Sequence, residues 1–221
     1  MNGPIIQLLV LAGIAIFLIL RLRGVLGTRE GFEKPQIPAD QVVKTDSRRR
    51  DFEVIEGGPD RDITDHATEG SDTAQALTAM KRVDPSFNVT QFLTGARSAY
   101  EMILIAFEHG SLDEVRNFIS PDVYDAFEQV VHQRADQGLQ VTAVFVGISD
   151  LGLKDATFDP QTKEAEMTVR FTGEMNYVVR DHGGDIVEGD PNAIKRQKDV
   201  WTFARVMDSA DPNWRLVATG E

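Results

Sequence analysis

The chain has 221 residues and a formal net charge of −12, which argues against a general nucleic-acid binder because phosphate neutralisation needs clustered Lys and Arg. It contains no cysteine, which excludes disulfides, thiolate catalysis and cysteine metal sites and fits a reducing compartment. The acidity is uneven: residues 86–221 hold 12 Lys and Arg against 22 Asp and Glu, so the C-terminal part is the acidic body.

The chain begins with a strongly apolar segment. Pro4–Leu20, PIIQLLVLAGIAIFLIL, carries no charge and one polar side chain, Gln7. A helix of that length covers ~25 Å, close to the roughly 30 Å hydrocarbon core of a bilayer. We interpret residues 1–26 as a membrane-spanning anchor. A secretory signal peptide would need a basic start and a small-residue cleavage site, and a buried core helix would not stand isolated before a long polar stretch.

The charges that follow this segment predict its orientation. Arg21 and Arg23 come directly after it, and Arg29 and Lys34 follow. The positive-inside rule then places the short N-terminus outside and the bulk of the chain in the cytoplasm. The residues assigned to the anchor are Ile5, Leu8, Leu11, Ile14, Phe17, Leu20, Arg21 and Arg23.

A polar segment separates the anchor from the rest. Residues 27–70 mix charges of both signs with three prolines and several glycines, and they show no sustained hydrophobic period. Such a segment buries too little apolar area to offset its ordering entropy, so we interpret it as a flexible tether. Within it, Arg48–Arg50 either contact anionic lipid or form a solvated charge run, and the second interpretation is the simpler one.

Helices are predicted for most of residues 71–138. The first is capped by Ser71 or Asp72 and ends before Pro85. Its apolar side is formed by Ala74, Leu77 and Met80. The second, NVTQFLTGARSAYEMILIAFEHG, is strongly periodic and stops at Gly110. Its apolar face comprises Phe92, Leu93, Ala96, Tyr100, Ile103, Leu104, Ala106 and Phe107.

Two more helices complete this half. The sequence SLDE, Ser111–Glu114, predicts a capping box at the start of a short helix. A longer helix then begins with Ser120 as its cap and Pro121 in the first position, and it ends at Gly138.

The remaining chain is predicted to form strands. Residues 139–159 are β-branched and broken by glycine, and residues 163–181 alternate cleanly. The apolar face of this second strand is Ala165, Met167, Val169, Phe171, Met175 and Tyr177, and the other face is Glu164, Glu166, Thr168, Arg170, Thr172 and Glu174. HGGD, residues 182–185, predicts a turn, and two strands joined by SADP end the chain. We therefore expect an α+β fold with helices on one face of a curved antiparallel sheet.

The sequence shows no catalytic or cofactor signature. The four histidines share no metal-ligand spacing, and no phosphate-binding loop or nucleophile elbow is present. Asp199 and Arg205 flank the tryptophan strand and form either a pocket acid with its partner or, more simply, a surface pair. Only apolar residues fall on the faces that we assign inward. We therefore predict no catalytic, cofactor-binding or metal-binding residue.

Aromatic residues near the C-terminus offer the one candidate binding surface. Both tryptophans lie in DVWTFARVMDSADPNWRLVAT, residues 199–219, and their strand face must meet the helices. A plain hydrophobic core and an apolar groove for acyl chains or peptide both fit this pattern. The candidate groove residues are Tyr100, Phe107, Phe171, Trp201, Phe203, Met207 and Trp214.

Three stretches resemble a known family. FLTGARSAYEMILIAFEHGSLDEVRNFISPDVYDAF (92–127), RFTGEMN (170–176) and residues 199–219 resemble the domain shared with the mitochondrial import inner membrane translocase subunit 44. The resemblance covers residues 71–221. It implies a cone-shaped α+β fold like that of nuclear transport factor 2, attachment to an inner membrane and affinity for cardiolipin-type anionic lipid. It also implies a non-catalytic role in protein translocation or membrane-protein assembly.

The front of the chain departs from the mitochondrial pattern. A spanning helix replaces the transit peptide, and the long charged helical segment of the mitochondrial relative is missing. We therefore expect a single-pass protein of a bacterial inner membrane, anchored in the bilayer by residues 4–20, with its short N-terminus in the periplasm and its C-terminal domain in the cytoplasm. We expect this domain to bind a membrane or translocating protein, anionic phospholipid, or both. We expect no nucleic-acid partner. The alternatives are a cone-fold enzyme of the isomerase or dehydratase type and a lipid-binding or lipid-transfer domain.

Overall fold

Helices occupy the first half of the described chain and strands the second half. The computed structural model describes residues 60–220. The helices are α1 (Arg61–Thr64), α2 (Asp72–Val83), α3 (Val89–His109), a 3-10 helix (Leu112–Phe118) and α4 (Pro121–Asp136). The strands are β1 (Gln140–Phe158), β2 (Glu164–Arg180), β3 (Ile186–Gly189), β4 (Lys195–Val206) and β5 (Arg215–Gly220). The predicted order of helices followed by strands is confirmed.

The strands form one antiparallel sheet that is not closed. The order is β1-β2-β4-β5, and the short β3 pairs with the end of β2. β1 is a single strand of 19 residues with three register shifts along β2. The predicted break at glycine in this strand is therefore wrong: bulges bend the strand and increase its twist without interrupting it. β3 was not predicted, since its four residues are all exposed and show no alternation.

The inner face of the sheet carries the core. On β2 the apolar residues from Ala165 to Tyr177 are buried, as the alternation predicts, whereas the charged residues of the opposite face are not. α2 and α3 pack against β1, and α4 packs against β5. The predicted α+β arrangement, with helices on one face of a curved antiparallel sheet, is confirmed.

Local capping explains the helix boundaries. The Ser71 hydroxyl accepts from the N–H of Ala74 at the start of α2, and Ser120 caps α4, with Pro121 in its first turn. α3 ends at Gly110, whose φ of 72° is left-handed. The capping box predicted at Ser111 is wrong. The N–H of Ser111 is bonded to Ala106 in the Schellman closure of α3, and its backbone is not extended as an N-cap requires.

The folded part begins ahead of Ser71. Ile63 of α1 is buried in the core, and the Asp62 carboxylate accepts from the N–H of Val89 at 2.8 Å and of Thr90 at 3.0 Å. Lys81 Nζ lies 2.7 Å from the same carboxylate. Residues 60–70 thus pack against α2 and α3, which corrects the tether boundary predicted at residue 70.

The predicted anchor and most of the predicted tether lie outside the described residues. This applies to residues 1–26 and to residues 27–59. Between residues 60 and 220, no helix has both the length and the hydropathy needed to cross a bilayer.

Candidate apolar groove

Three of the seven predicted groove residues lie in a closed aromatic cluster between α3 and the sheet. Tyr100 stacks on Phe171 with a centroid distance of 4.4 Å, and Trp201 lies 4.7 Å from Tyr100. Tyr100 and Phe171 are fully buried, and Trp201 is 4% exposed. Met207 is buried as well. We call Tyr100, Phe171 and Trp201 the closed cluster.

A polar pair completes the closed cluster. The Tyr100 hydroxyl donates to the Asp199 carboxylate at 2.5 Å, and the Gln197 side-chain amide donates to the same oxygen at 2.9 Å. Burial raises the pKa of the Tyr100 hydroxyl, and the bonded Asp199 carboxylate raises it further, so the phenol stays neutral. The expectation that only apolar residues face inward is therefore wrong, since Asp199 and Gln197 share the face of Trp201.

Glycine is required beside this pair. A Cβ on Gly173 of β2 would lie 2.5 Å from the Tyr100 hydroxyl oxygen and 3.1 Å from its ring. The glycine of RFTGEMN thus makes room for the tyrosine to reach Asp199.

The Tyr100 hydroxyl is buried, whereas its partner Asp199 is half-buried. A tyrosine and a carboxylate can act as acid and base only when a substrate reaches them. Tyr100 is fully buried, and neither it nor Asp199 lines the groove described below. The predicted pairing of Asp199 with Arg205 is also wrong, because Arg205 is bonded to Asp84 instead.

Phe107 lies away from the other candidates. Its ring packs on Phe127 at 4.6 Å, and the Arg134 guanidinium lies 4.7 Å from its centre. Arg134 also pairs with the buried carboxylate of Glu108 at 3.0 Å. Burial raises the pKa of the Glu108 carboxyl, and the Arg134 charge opposes that rise. This end of α3 is therefore a packed aromatic and ionic contact with α4 and is separate from the tryptophans.

An open groove runs along the side of α3 that faces away from the closed cluster. Its volume is about 420 Å³. The first wall is residues 86–88, ahead of α3, and the second wall is residues 212–214, ahead of β5. The lining residues include Phe87, Asn88, Gln91, Phe92, Gly95, Ser98, Ala99, Met102, Phe118, Phe203, Arg205 and Trp214. Of the seven predicted residues, Phe203 and Trp214 reach this groove.

Trp214 forms the aromatic wall of the groove. The residue is half-buried, and its ring lies 4.8 Å from Phe92 and 5.9 Å from Phe87. Phe92 in turn meets Phe203 edge-on at 6.0 Å. The two tryptophans therefore differ: Trp201 fills the core, and Trp214 presents one side to the groove.

Small residues of α3 keep the groove open. A Cβ added to Gly95 would meet no atom within 4 Å, although glycine inside a helix costs about 1 kcal/mol relative to alanine. Ser98 and Ala99 continue the same side of the helix. This floor was not predicted, and the sequence signal that marks it is the run of small residues opposite the apolar stripe of α3.

The groove lacks negative charge. None of the described residues that line it is Asp or Glu, although the surrounding domain is acidic. Its one cation, Arg205, is already engaged by Asp84. Asn88, Gln91, Ser98 and other neutral groups supply the hydrogen bonds, so the groove suits a ligand that is apolar and either neutral or anionic.

Arg205 is the one charged side chain among the described residues that line the groove. No histidine or lysine is among its lining residues. Across residues 60–220, no group of three or more His, Asp and Glu side chains could hold a metal ion. The fold and the groove thus define an α+β domain, with helices on one face of a curved sheet and an apolar cleft beside α3.

Comparison with known proteins places this domain. The sequence profile of the Tim44-like domain matches residues 73–221, and the chain belongs to that family. The resemblance inferred from the sequence is confirmed. The human mitochondrial import inner membrane translocase subunit TIM44 is 27% identical over 167 residues, covering 71% of this chain and 36% of that protein. Subunit TIM44-1 of Arabidopsis thaliana is 21% identical over 205 residues, covering 84% and 40%.

The chain spans well under half the length of these curated relatives. Among solved structures, the intermembrane space region of chloroplast protein ARC6 matches with a TM-score of 0.36 and 11% identity, covering 65% of this chain and 94% of that one. Similarity this low carries no functional information.

Proposed function

We propose that the protein is a membrane-anchored, non-catalytic interaction module of a bacterial inner membrane. Residues 4–20 hold it in the bilayer, the domain lies on the cytoplasmic side, and it binds protein, anionic lipid or both during protein translocation or membrane-protein assembly. Its helices and sheet form a cone of the nuclear transport factor 2 type. Family membership supports this role, since the curated relatives are import translocase subunits.

The open groove is the observation that carries the proposal. Its volume of about 420 Å³ lies within the usual range for ligand sites, roughly 300–1,000 Å³. Phe87, Phe92 and Trp214 give it aromatic walls, and Gly95 gives it a low floor. An acyl chain or an apolar peptide segment fits walls of this kind.

Charge supports a local mode of recognition. The domain as a whole is acidic and repels an anionic membrane surface. The groove has no acidic lining residue, so an anionic lipid meets less repulsion there than elsewhere on the domain. By the same argument, a strongly basic peptide gains nothing from the groove itself.

The enzyme alternative has less support. In its one candidate acid–base pair, Tyr100 is fully buried and Asp199 is half-buried, and neither residue lines the open groove. A lipid-binding role is a variant of the main proposal, because the same groove would hold the acyl chain.

Photo-crosslinking from the groove tests the proposed function. A photoreactive amino acid replaces Ser98, which lines the groove, in the full chain in its native membrane. The matched control carries the same amino acid at Thr94, one turn earlier on α3 and exposed but outside the groove. Mass spectrometry then identifies the crosslinked molecules.

The proposal predicts protein or phospholipid adducts at position 98 that are absent at position 94. Lipid adducts alone identify a lipid-binding domain, and protein adducts identify an assembly or translocation role. The same adducts at both positions, or none at position 98, contradict the proposal.

A further inference from the structure

Arg205 joins the two walls of the groove. Its Nη2 donates to the Asp84 carboxylate at 2.5 Å, and the same carboxylate accepts from the N–H of Ser86, in the first wall, at 3.0 Å. Its Nη1 donates to the Pro212 carbonyl of the second wall at 3.2 Å. The guanidinium carbon lies 5.3 Å from the centre of the Trp214 ring. One side chain therefore connects two segments, and it lies 121 residues from Asp84 and 7 residues from Pro212 in the sequence.

The connection is enclosed and charged. The Arg205 and Asp84 side chains are 12% and 17% exposed. Hydrogen bonds from Ser86 and Arg205 outweigh the effect of burial and hold the pKa of the Asp84 carboxyl below its ordinary value, so the pair stays ionised at neutral pH. The planar guanidinium holds its donors in a fixed fork that reaches both walls, whereas a lysine ammonium is a compact point charge without that fixed geometry.

Arg205 carries a cost that packing alone does not require. Its Nε is buried and has no hydrogen-bond partner within residues 60–220. A buried donor without an acceptor destabilises a fold. A methionine in this place would pack against Trp214 without that cost, which indicates that the two wall contacts are the reason for the arginine.

We infer that Arg205 is a positioning residue that sets the width of the groove and thereby the size of the ligand that enters. The inference deepens the proposed function and rests on it for its consequence for ligands. The width itself is a property of the free chain, so it can be measured without any ligand.

Thiol labelling with reagents of two sizes measures this width. The chain has no cysteine, so Ser98→Cys introduces a single thiol in the groove and Thr94→Cys a single thiol outside it. Each full-length variant reacts with N-ethylmaleimide and with a bulky dye maleimide. At each position the rate with the bulky reagent is divided by the rate with N-ethylmaleimide. This ratio at position 98, divided by the same ratio at position 94, reports how far the groove excludes the larger reagent.

Two substitutions of Arg205 and one control substitution of Lys163 then test the role of Arg205. Arg205→Met removes both wall contacts, and Arg205→Lys keeps the charge and one contact. Lys163→Met is the matched control, because it breaks an ion pair with Asp208 at 3.1 Å that does not touch the groove.

The inference predicts that Arg205→Met raises the relative rate of the bulky reagent at position 98 several-fold. Arg205→Lys should raise this relative rate by an intermediate amount, and Lys163→Met should leave the relative rate unchanged. An unchanged ratio in Arg205→Met overturns the inference. An equal rise at position 94 also overturns it, since the variant would then loosen α3 as a whole. Neither outcome depends on whether position 98 crosslinks a ligand, so failure of the proposed function is seen separately.

Discussion

The two sides of α3 both face aromatic side chains from other elements, but they pack differently. On the sheet side, Tyr100 fills the space between Phe171 and Trp201 and ends in a hydrogen bond to Asp199. On the outer side, Gly95 leaves the space beside Trp214 open. Both sides are aromatic.

The difference follows from where the small residue lies. Gly173 on β2 makes room for the tyrosine that closes the sheet side, whereas Gly95 on α3 has nothing placed above it. At Gly173 the side chain of Tyr100 occupies the space beside the glycine, so this glycine supports the core. At Gly95 the space is empty, so this glycine leaves a surface that a ligand can occupy. The comparison therefore separates residues that hold the fold from residues available to a ligand.

The two tryptophans should show the largest contrast. Trp201→Ala leaves a cavity in the closed cluster and should cost about 3–5 kcal/mol of unfolding free energy. Trp214→Ala should cost clearly less, because Trp214 already has one side in the groove. Urea denaturation followed by circular dichroism measures both, and equal losses would contradict the distinction between a closed and an open side.

Gly173→Ala should give the next largest effect. The added Cβ would lie 2.5 Å from the Tyr100 hydroxyl oxygen, and such overpacking costs about 1–3 kcal/mol. Tyr100→Phe removes the clashing oxygen, so the double variant should lose less than the sum of the two single losses. Strictly additive losses would show that the glycine serves some other purpose.

Asp62 anchors the N-terminal end of α3, where the groove begins. Burial opposes ionisation of its carboxyl, but hydrogen bonds from Lys81, Thr90 and Val89 outweigh burial and lower its pKa from 3.8 to about 2. The stability that it contributes is therefore present above pH 3.8 and is lost as the pH falls towards 2. Asp62→Asn should cost about 1–2 kcal/mol near neutral pH, as the loss of a helix cap does.

Denaturation of the Asp62→Asn variant at two pH values checks this expectation. The difference from the unmodified chain should shrink between pH about 6 and pH about 3, since the carboxylate begins to protonate in the unfolded chain. A constant difference would mean that the charge of Asp62 is not what holds α1 to α3.

Gly95→Ala should give the smallest effect, with the opposite sign. No atom lies within 4 Å of the new Cβ, and alanine is favoured over glycine inside a helix by about 1 kcal/mol. The variant should therefore be more stable by up to that amount. A loss of stability in thermal denaturation would show that the space above Gly95 is filled.

Local patterns predicted much of this fold. The caps at Ser71 and Ser120 and the alternation along β2 depend on neighbours in the sequence, and the structure has them as expected. The capping box failed because two neighbouring motifs compete for Ser111. Its N–H is bonded to Ala106 in the closure of α3, and Ser111 therefore does not cap the next helix.

The site depended on contacts that no local pattern contains. Tyr100 meets Asp199 across 99 residues, and Arg205 meets Asp84 across 121. The sequence identified Trp214 as a candidate but could not show that residues 86–88 form the facing wall. The aromatic pattern was the same for core and groove, so only the three-dimensional arrangement separates them.

The most direct test of the account fills the groove without disturbing the core. Gly95→Leu places a side chain in open space, and Thr94→Leu places the same side chain one residue away, outside the groove. Each is combined with the photoreactive residue at position 98 in the native membrane. The account predicts that Gly95→Leu abolishes the position-98 adducts with no loss of thermal stability, and that Thr94→Leu leaves them in place. Adducts that survive Gly95→Leu at full yield would contradict the claim that this groove binds the ligand.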